Sequence, residues 1–404
     1  KRIEDNGFEC VMLDYLLDSD KQELRVKGLR FILECVISAF TQEREQAFSR
    51  RAADWEKKIA ELSPDRVYLD AQCALRTALY HKLEIPVVLV ETMPLSLYDP
   101  WVPPFTSGLI PKQTGISRLG IRLAWEKIVI ARKIRNLFFS MLLCRQDYFS
   151  LYKRLFLECG FPFEEKIDWR RPFIIGIKES KILSMNPSSL DFPRKYPPNC
   201  QYAPSRVDLN REDPMLNRRY ARVMEEVCLQ KQQRPDTKII YCFSSTVMGF
   251  EKRSKIIFMK IRDICLRNPQ FVFILSVGKY HNTSYLLPCP SNLYVFQQVP
   301  QLHLLSYCDL MITSGGMNSI AECIEKEVPM LVCPLSLKSD QLGNSARVVY
   351  HGLGLRARIK LDSSRTIEKR IVQLFENYAT FKRNLSMMRT KILAESTAIN
   401  TEVI

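Results

Sequence analysis

The chain has 404 residues, 46% hydrophobic and 25% charged, a composition that folds and excludes a large disordered share. That length exceeds what one hydrophobic core serves, so two domains are expected. A formal charge of +15 admits nucleic acid, anionic lipid or a phosphate-bearing ligand, but no helix-turn-helix, zinc-finger or aromatic RNA-binding signature is present, so nucleic acid is set aside.

The opening KRIEDNGFECVML reads as the end of a helix, a glycine turn and a short apolar strand. In an alternating α/β chain a strand and a glycine-bearing loop are expected before such a helix, and here they would lie upstream of Lys1. RVYLDAQCALRTALYHKL and IPVVLVETMPL each give a buried strand ending in a loop, with a helix over 71–83 between them, the grammar of a parallel sheet. Residues 92–117 are rich in Pro, Gly, Ser and Thr and read as a long irregular excursion of the kind that carries function. Its Pro94, Trp101, Pro103, Pro104 and Phe105 are candidates either to line an apolar pocket or to pack the loop.

Over 118–145 a helical pattern sets Trp125, Ile128, Phe138 and Leu142 among seven basic residues and a single acid, Glu126. This suits a helix lying on an anionic membrane, or a packed helix with a solvated basic face. Residues 187–235, dense in Pro, Asn, Arg and Asp, read as a domain linker with one helix near 216–230. The segments KIIYCFSST, QFVFILSVG, NLYVFQQVP, DLMITSGG and PMLVCPL then restart the strand–loop–helix grammar and give a second doubly wound sheet.

The thirteen cysteines are odd in number, with no C-x-x-C pair and no histidine placed to complete a zinc set. They fit a reducing, cytoplasmic setting, in which Cys242, Cys308 and Cys333 act as small hydrophobes. No apolar run reaches the roughly eighteen residues that a membrane span needs, and no signal peptide is expected.

The most informative stretch is QQVPQLHLLSYCDLMITSGGMNSIAECIEKEVPMLVCPLSLKSDQLGNSARVVYHGLG, residues 297–354. The strand DLMIT ends at Ser314, Gly315 and Gly316, and a helix starts near Asn318 or Ser319. Two glycines let backbone approach a ligand closely, and free N–H groups at a helix N-terminus favour an anion such as a diphosphate. Glu322, three residues after Ser319, is either an N-terminal capping carboxylate or an acceptor for two ribose hydroxyls.

The VPQ, SGGMNSIAE, CPL, DQLGN and GLG elements, in that order and with Pro329 between, resemble the donor-binding signature of the UDP-glycosyltransferase family, the GT-B enzymes of glycosyltransferase family 1. The likeness is to the bacterial macrolide and lipid-acceptor branch and to animal glucuronosyltransferases, and it extends more loosely across nearly the whole chain. It implies an α/β GT-B fold of two Rossmann-like doubly wound domains facing a cleft. An acceptor-side domain is expected over 1–205 and a donor domain over 206–404, with the last helix crossing back.

By that resemblance Gln298, Val299 and Gln301 edge the base and ribose, and Glu322 holds the ribose hydroxyls. Ser314, Gly315, Gly316, Asn318 and Ser319 cradle the phosphates, joined by Ser245 and Thr246 of the FSSTV loop. Asp340 and Gln341 bind the sugar hydroxyls, or else cap their loop. The family usually has His where Ser314 stands and, in its plant branch, Trp where Gln298 stands; a hydroxyl reaches less far than an imidazole and carries no charge.

Asp70 matches the family's strand-end Asp that orients a catalytic His; a buried strand-end Asp is equally a helix cap. None of His81, His281, His303 and His351 falls in the catalytic position, and the expected His belongs to a loop upstream of Lys1. The implied reaction is an inverting displacement that moves a hexose from a UDP-sugar to a hydroxyl of a hydrophobic small molecule or lipid. No cofactor or metal is expected, and peripheral contact with an anionic membrane on its inner face goes with such an acceptor. Two other readings follow from the same residues: a donor-binding but catalytically inactive homologue or partner subunit, and a nucleotide-sugar epimerase, which the long excursion after residue 92 disfavours.

Overall fold

The computed structural model describes residues 7, 9–10, 27–173, 175–195, 197–204, 207–209, 217–243, 251–278 and 282–397. The chain divides into two compact units, one of Lys1–Val90, Trp125–Leu183 and Pro197–Gln201, the other of Glu91–Ala124, Ser184–Tyr196 and Tyr202–Ile404. The excursion after residue 91 and the stretch around Asp191 therefore group with the second unit, although both lie before residue 205.

Six strands are centred on the first unit: β1 Val67–Asp70, β2 Val87–Glu91, β3 Ile167–Asp168, β4 Gly176–Ile177, β5 Lys181–Ser184 and β6 Cys200–Tyr202. Four form a sheet in the order β1-β2-β5-β6, with β1 and β2 parallel, and β3 pairs β4 antiparallel. The helices are α1 Leu29–Thr41, α2 Glu43–Leu62, α3 Thr77–Lys82, α4 Gly115–Leu142, α5 Tyr148–Glu158 and α6 Phe163–Lys166. The helix expected over 71–83 is split into a 3-10 turn, Ala71–Arg76, followed by α3. The Asp70 carboxylate accepts the Gln72 N–H at 2.8 Å and so fixes the tight entry to that turn. On α1, Phe31 and Cys35 pack against Phe139, Leu142 and Leu143 at the end of α4.

The second unit holds β7 Lys238–Phe243, β8 Phe271–Ser276, β9 Leu293–Phe296, β10 Leu310–Thr313, β11 Met330–Val332 and β12 Gly354–Arg356. All are parallel, in the order β12-β11-β10-β7-β8-β9. Interleaved with them are α7 Arg218–Gln233, α8 Glu251–Arg267, α9 Gln301–Leu305, α10 Met317–Glu325, α11 Gln341–Tyr350, α12 Ser364–Glu376 and α13 Tyr378–Thr397.

Because side chains alternate along a strand, the β7 run IIYC sends Ile239 and Tyr241 to one face and Ile240 and Cys242 to the other. Both faces are buried. Tyr220 and Met224 of α7, Ile320 of α10 and Leu385 of α13 cover the first, and Phe258 and Ile261 of α8 with Ile367 and Ile371 of α12 cover the second. This explains why these strands read as unbroken apolar runs in the sequence.

Candidate functional site

Counting β7 as the first strand of its sheet, the order is 3-2-1-4-5-6, and chain direction across the sheet reverses between β7 and β10. In such sheets the crevice outside the carboxyl ends of the two strands at that reversal receives the ligand. The β7 side leads into residues 244–250, so Ser245 and Thr246 lie outside the described residues. The β10 side is fully described.

Beyond Thr313 the chain passes through buried Ser314 to Gly315, whose φ of +89° only glycine adopts without strain. A Cβ there would stand 2.7 Å from Cγ1 of Val332, so the position has neither the conformation nor the space for a side chain. Gly316 is different. It is the N-cap of α10 at φ −68°, ψ 142°, and among the described residues no atom lies within 4 Å of where its Cβ would be. Among the described residues no side chain caps this helix, which begins at Met317, a residue or two earlier than the sequence suggested. The backbone N–H groups of the first turn thus face open space at the positive end of a nine-residue helix, an arrangement suited to an anion.

Ser319 is buried in this first turn, whereas Asn318 is exposed. Glu322 sits past the first turn, too far along α10 to cap it, and is 4% exposed. Its Oε2 accepts a hydrogen bond from Nε2 of Gln301 at 2.7 Å. The other side of that amide accepts from the Tyr241 hydroxyl at 3.0 Å, and Nε2 also reaches Oγ of Ser319 at 3.4 Å. Burial holds the Tyr241 hydroxyl well above the ordinary phenol range, so it remains a donor. Three elements, β7, α9 and α10, therefore fix the direction of one carboxylate.

Gln298 is exposed and Val299 buried between the end of β9 and α9. Gln298 borders a cavity of about 530 Å³ together with Gln297, Val277, Asn217 and Arg219. Arg219 stacks on the Phe296 ring at 4.8 Å and donates to the Val295 carbonyl at 3.0 Å.

Asp340 and Gln341 open α11. Oε1 of buried Gln341 accepts the N–H groups of Leu335 and Ser336, both at 2.8 Å, which leaves Nε2 as the end of the side chain that can meet a ligand. Asp340 accepts from Nδ2 of Asn344 at 2.8 Å, and burial raises its carboxyl above the ordinary aspartate range. The same Asn344 amide donates to the Gly315 carbonyl at 2.9 Å, tying the start of α11 to the glycine turn. Sequence reasoning missed Tyr241 and Asn344. Asn344 stood in the quoted DQLGN run, but Tyr241 looked like one more core aromatic.

Further along α11, buried Arg347 donates to Oδ1 of Asp191 through Nε at 2.9 Å and Nη2 at 2.6 Å, stacked 4.7 Å above the Phe192 ring. His351 Nε2 lies 3.1 Å from the carbonyls of Leu190 and Asp191. Burial pushes the Asp191 carboxyl up, but the Arg347 and Arg194 guanidinium groups outweigh it and hold the group below the usual carboxylate range. In the excursion, the Phe105 backbone lies so close to Gly343 that a Cβ there would fall 2.1 Å from the Phe105 oxygen. Val102 and Phe192 pack with Ala346, while Trp101 is exposed beneath the Arg118 guanidinium at 4.6 Å.

Asp70, the expected catalytic orienter, is exposed, with its carboxylate on Gln72. His81 meets Phe161 edge-on at 5.0 Å, His303 pairs with the Tyr220 hydroxyl at 2.9 Å, and His281 lies outside the described residues. All thirteen cysteines are free; burial raises the Cys242 and Cys308 thiols, and Cys333 is pushed up to about 12. Among the described residues no His, Cys, Asp and Glu group could hold a metal ion, and no helix is long and apolar enough to cross a membrane.

The family model for UDP-glucoronosyl and UDP-glucosyl transferase matches residues 282–394, the span that contains the glycine turn, Glu322 and Asp340–Gln341. Over that span the chain is similar to this family. An NDP-glycosyltransferase YjiC of Bacillus subtilis (strain 168) is 37% identical over 98 residues, 24% of each chain. The zeaxanthin glucosyltransferase of Pantoea ananas is 34% identical over 101 residues, 25% of this chain and 22% of that one. The matched part thus spans about a quarter of the curated relatives' length.

Among solved structures, the glycotransferase of kitacinnamycin aligns over 98% of this chain and 85% of its own, with a TM-score of 0.62 at 18% identity. The spinosyn rhamnosyltransferase SpnG aligns over 99% and 88%, with a TM-score of 0.57 at 15% identity. At that identity the likeness establishes the fold, which is GT-B.

Proposed function

We propose that this chain is an inverting hexosyltransferase that takes a UDP-sugar as donor and a hydroxyl of a hydrophobic small molecule or lipid as acceptor. The observation that carries the reading is the uncapped α10 N-terminus behind Gly315–Gly316, placed at the sheet's reversal point with a buried, pre-aimed carboxylate two turns away. In this reading the helix N–H groups hold the diphosphate and stabilise its charge as it leaves, without calling on a metal or cofactor. Glu322 accepts the ribose hydroxyls, Gln298 and Val299 edge the base, and Asp340 with Nε2 of Gln341 meets the sugar. Relatives that act on zeaxanthin support an apolar acceptor, and peripheral contact with an anionic membrane accompanies one that resides in lipid.

Calorimetric titration with UDP tests the donor half: Glu322→Ala is expected to abolish measurable binding, and unchanged affinity would remove the ribose assignment. A second reading, donor binding without turnover, has an observation behind it. His81 packs on Phe161, His303 and His351 are engaged in hydrogen bonds of their own, and Asp70 is committed to its own turn. Tight UDP-sugar binding with no transfer to any of a panel of apolar alcohols selects that reading.

A further inference from the structure

Two helices of the first unit present apolar rows to solvent. On α1, Leu29, Leu33, Ile37 and Phe40 are exposed, from 50% at Ile37 to 86% at Phe40, while Phe31, Cys35 and Ser38 on the opposite face are buried. On α4, Ile130, Ile134, Leu137, Phe138 and Met141 are each more than half exposed, while Trp125 and Arg132 face inward. At 3.6 residues per turn these five lie within one stripe centred on Ile134. The two helices are neighbours through Phe31, Cys35, Phe139 and Leu143, which lie opposite the exposed rows, so the α1 row points away from the α4 row and the α4 stripe is a surface of its own. Scattered exposed apolar residues need no explanation, but five in one stripe of a single helix form a patch of the kind that marks an interaction surface.

Charge identifies the occupant. Lys133 and Arg135 stand one position either side of Ile134, about 100° round the helix on each flank, and Lys127 lies within the stripe. The one acid of α4, Glu126, is already paired with Arg170 at 3.4 Å. A second copy docking on this face would bring lysines and arginines against their own kind, whereas anionic headgroups complement them. The same geometry lets long basic side chains extend sideways to the phosphates while the apolar stripe enters the acyl boundary.

We propose that the second half of α4 forms a docking surface for an anionic lipid bilayer, with Ile134 and Leu137 inserted and Lys127, Lys133 and Arg135 on the headgroups. This names the face behind the membrane contact given above, and it stands whether or not the donor site works.

The test is flotation of the 404-residue chain with vesicles of phosphatidylcholine alone or with about 30% phosphatidylglycerol, at about 0.1 M and about 1 M salt. Binding is expected to anionic vesicles only and to weaken with salt. Ile134→Gln with Leu137→Gln is expected to reduce it at least tenfold, and Lys133→Glu with Arg135→Glu by about 25-fold or more, from about fivefold per charge. Each variant keeps wild-type UDP affinity, which separates failure here from failure of the donor reading. No vesicle binding overturns the proposal, as does equal binding to neutral vesicles. A dimer that the Gln variants dissociate, with vesicles ignored, assigns the face to a second copy and overturns it as well.

Discussion

Replacing Gly316 by alanine separates the ligand-gripping role of the turn from its structural role. At φ −68° and ψ 142° alanine is unstrained, and its methyl group meets no atom of the described residues within 4 Å. An N-cap alanine costs about 0.5–1 kcal/mol relative to glycine, and the lost freedom of the unfolded chain returns about 0.4–1 kcal/mol, so net stability moves by less than about 0.5 kcal/mol. The methyl group, however, occupies the approach to the helix N–H groups. Displacing a diphosphate from one charge-assisted hydrogen bond removes about 1.5–3 kcal/mol, a rise in Kd of roughly 10- to 100-fold.

Gly315→Ala is the control. Its φ of +89° and the 2.7 Å approach to Val332 make it a folding lesion. About 2–3 kcal/mol of strain and displacement lowers Tm by about 4–12 °C. Calorimetry with UDP and a thermal melt on each variant give both readouts. Wild-type UDP affinity in Gly316→Ala, or a fall in Tm as large as that of Gly315→Ala, refutes the assignment of this turn.

Two further predictions concern the staple on α11. Arg347→Met leaves the buried Asp191 carboxylate, among the described residues, with Arg194 at 3.2 Å and the Phe192 N–H at 2.8 Å, and is expected to cost about 3–5 kcal/mol in a denaturant titration. His351, whose pKa burial lowers, is neutral in both folded and unfolded chains above about pH 6.5. Below that the unfolded chain takes up the proton first, so its contribution is lost as pH falls through the folded value. His351→Gln should flatten the dependence of Tm on pH between about 7.5 and 5.5, and an unchanged slope excludes His351 as its source.

Much of the second unit was legible because its strands are buried on both faces and read as unbroken apolar runs. KIIYCF, FVFILS and LMIT fall on β7, β8 and β10 as expected. The three-residue β12 and the short β3 to β6 were not visible, since so few residues carry no period. The site was legible where its chemistry is local, as in the two glycines and the helix they open. It was illegible where it joins distant residues: Arg347 meets Asp191 across 156 positions, and Tyr241 meets Gln301 across 60. Alternative readings of Glu322 narrowed for a geometric reason, because α10 begins early enough to put it beyond the capping positions.

The bonds from Tyr241 to Gln301 and from Gln301 to Glu322 settle the heading of a carboxylate before any nucleotide arrives. The entropy of ordering that side chain is spent when the sheet assembles, leaving none to be lost at the moment of capture. A guest bearing two adjacent hydroxyls meets a fixed acceptor and is discriminated by shape; one lacking a hydroxyl strands a buried charge. Under the proposed ribose role of Glu322, selectivity for the sugar ring of the nucleotide is thus written into the packing of three core elements rather than into a mobile loop.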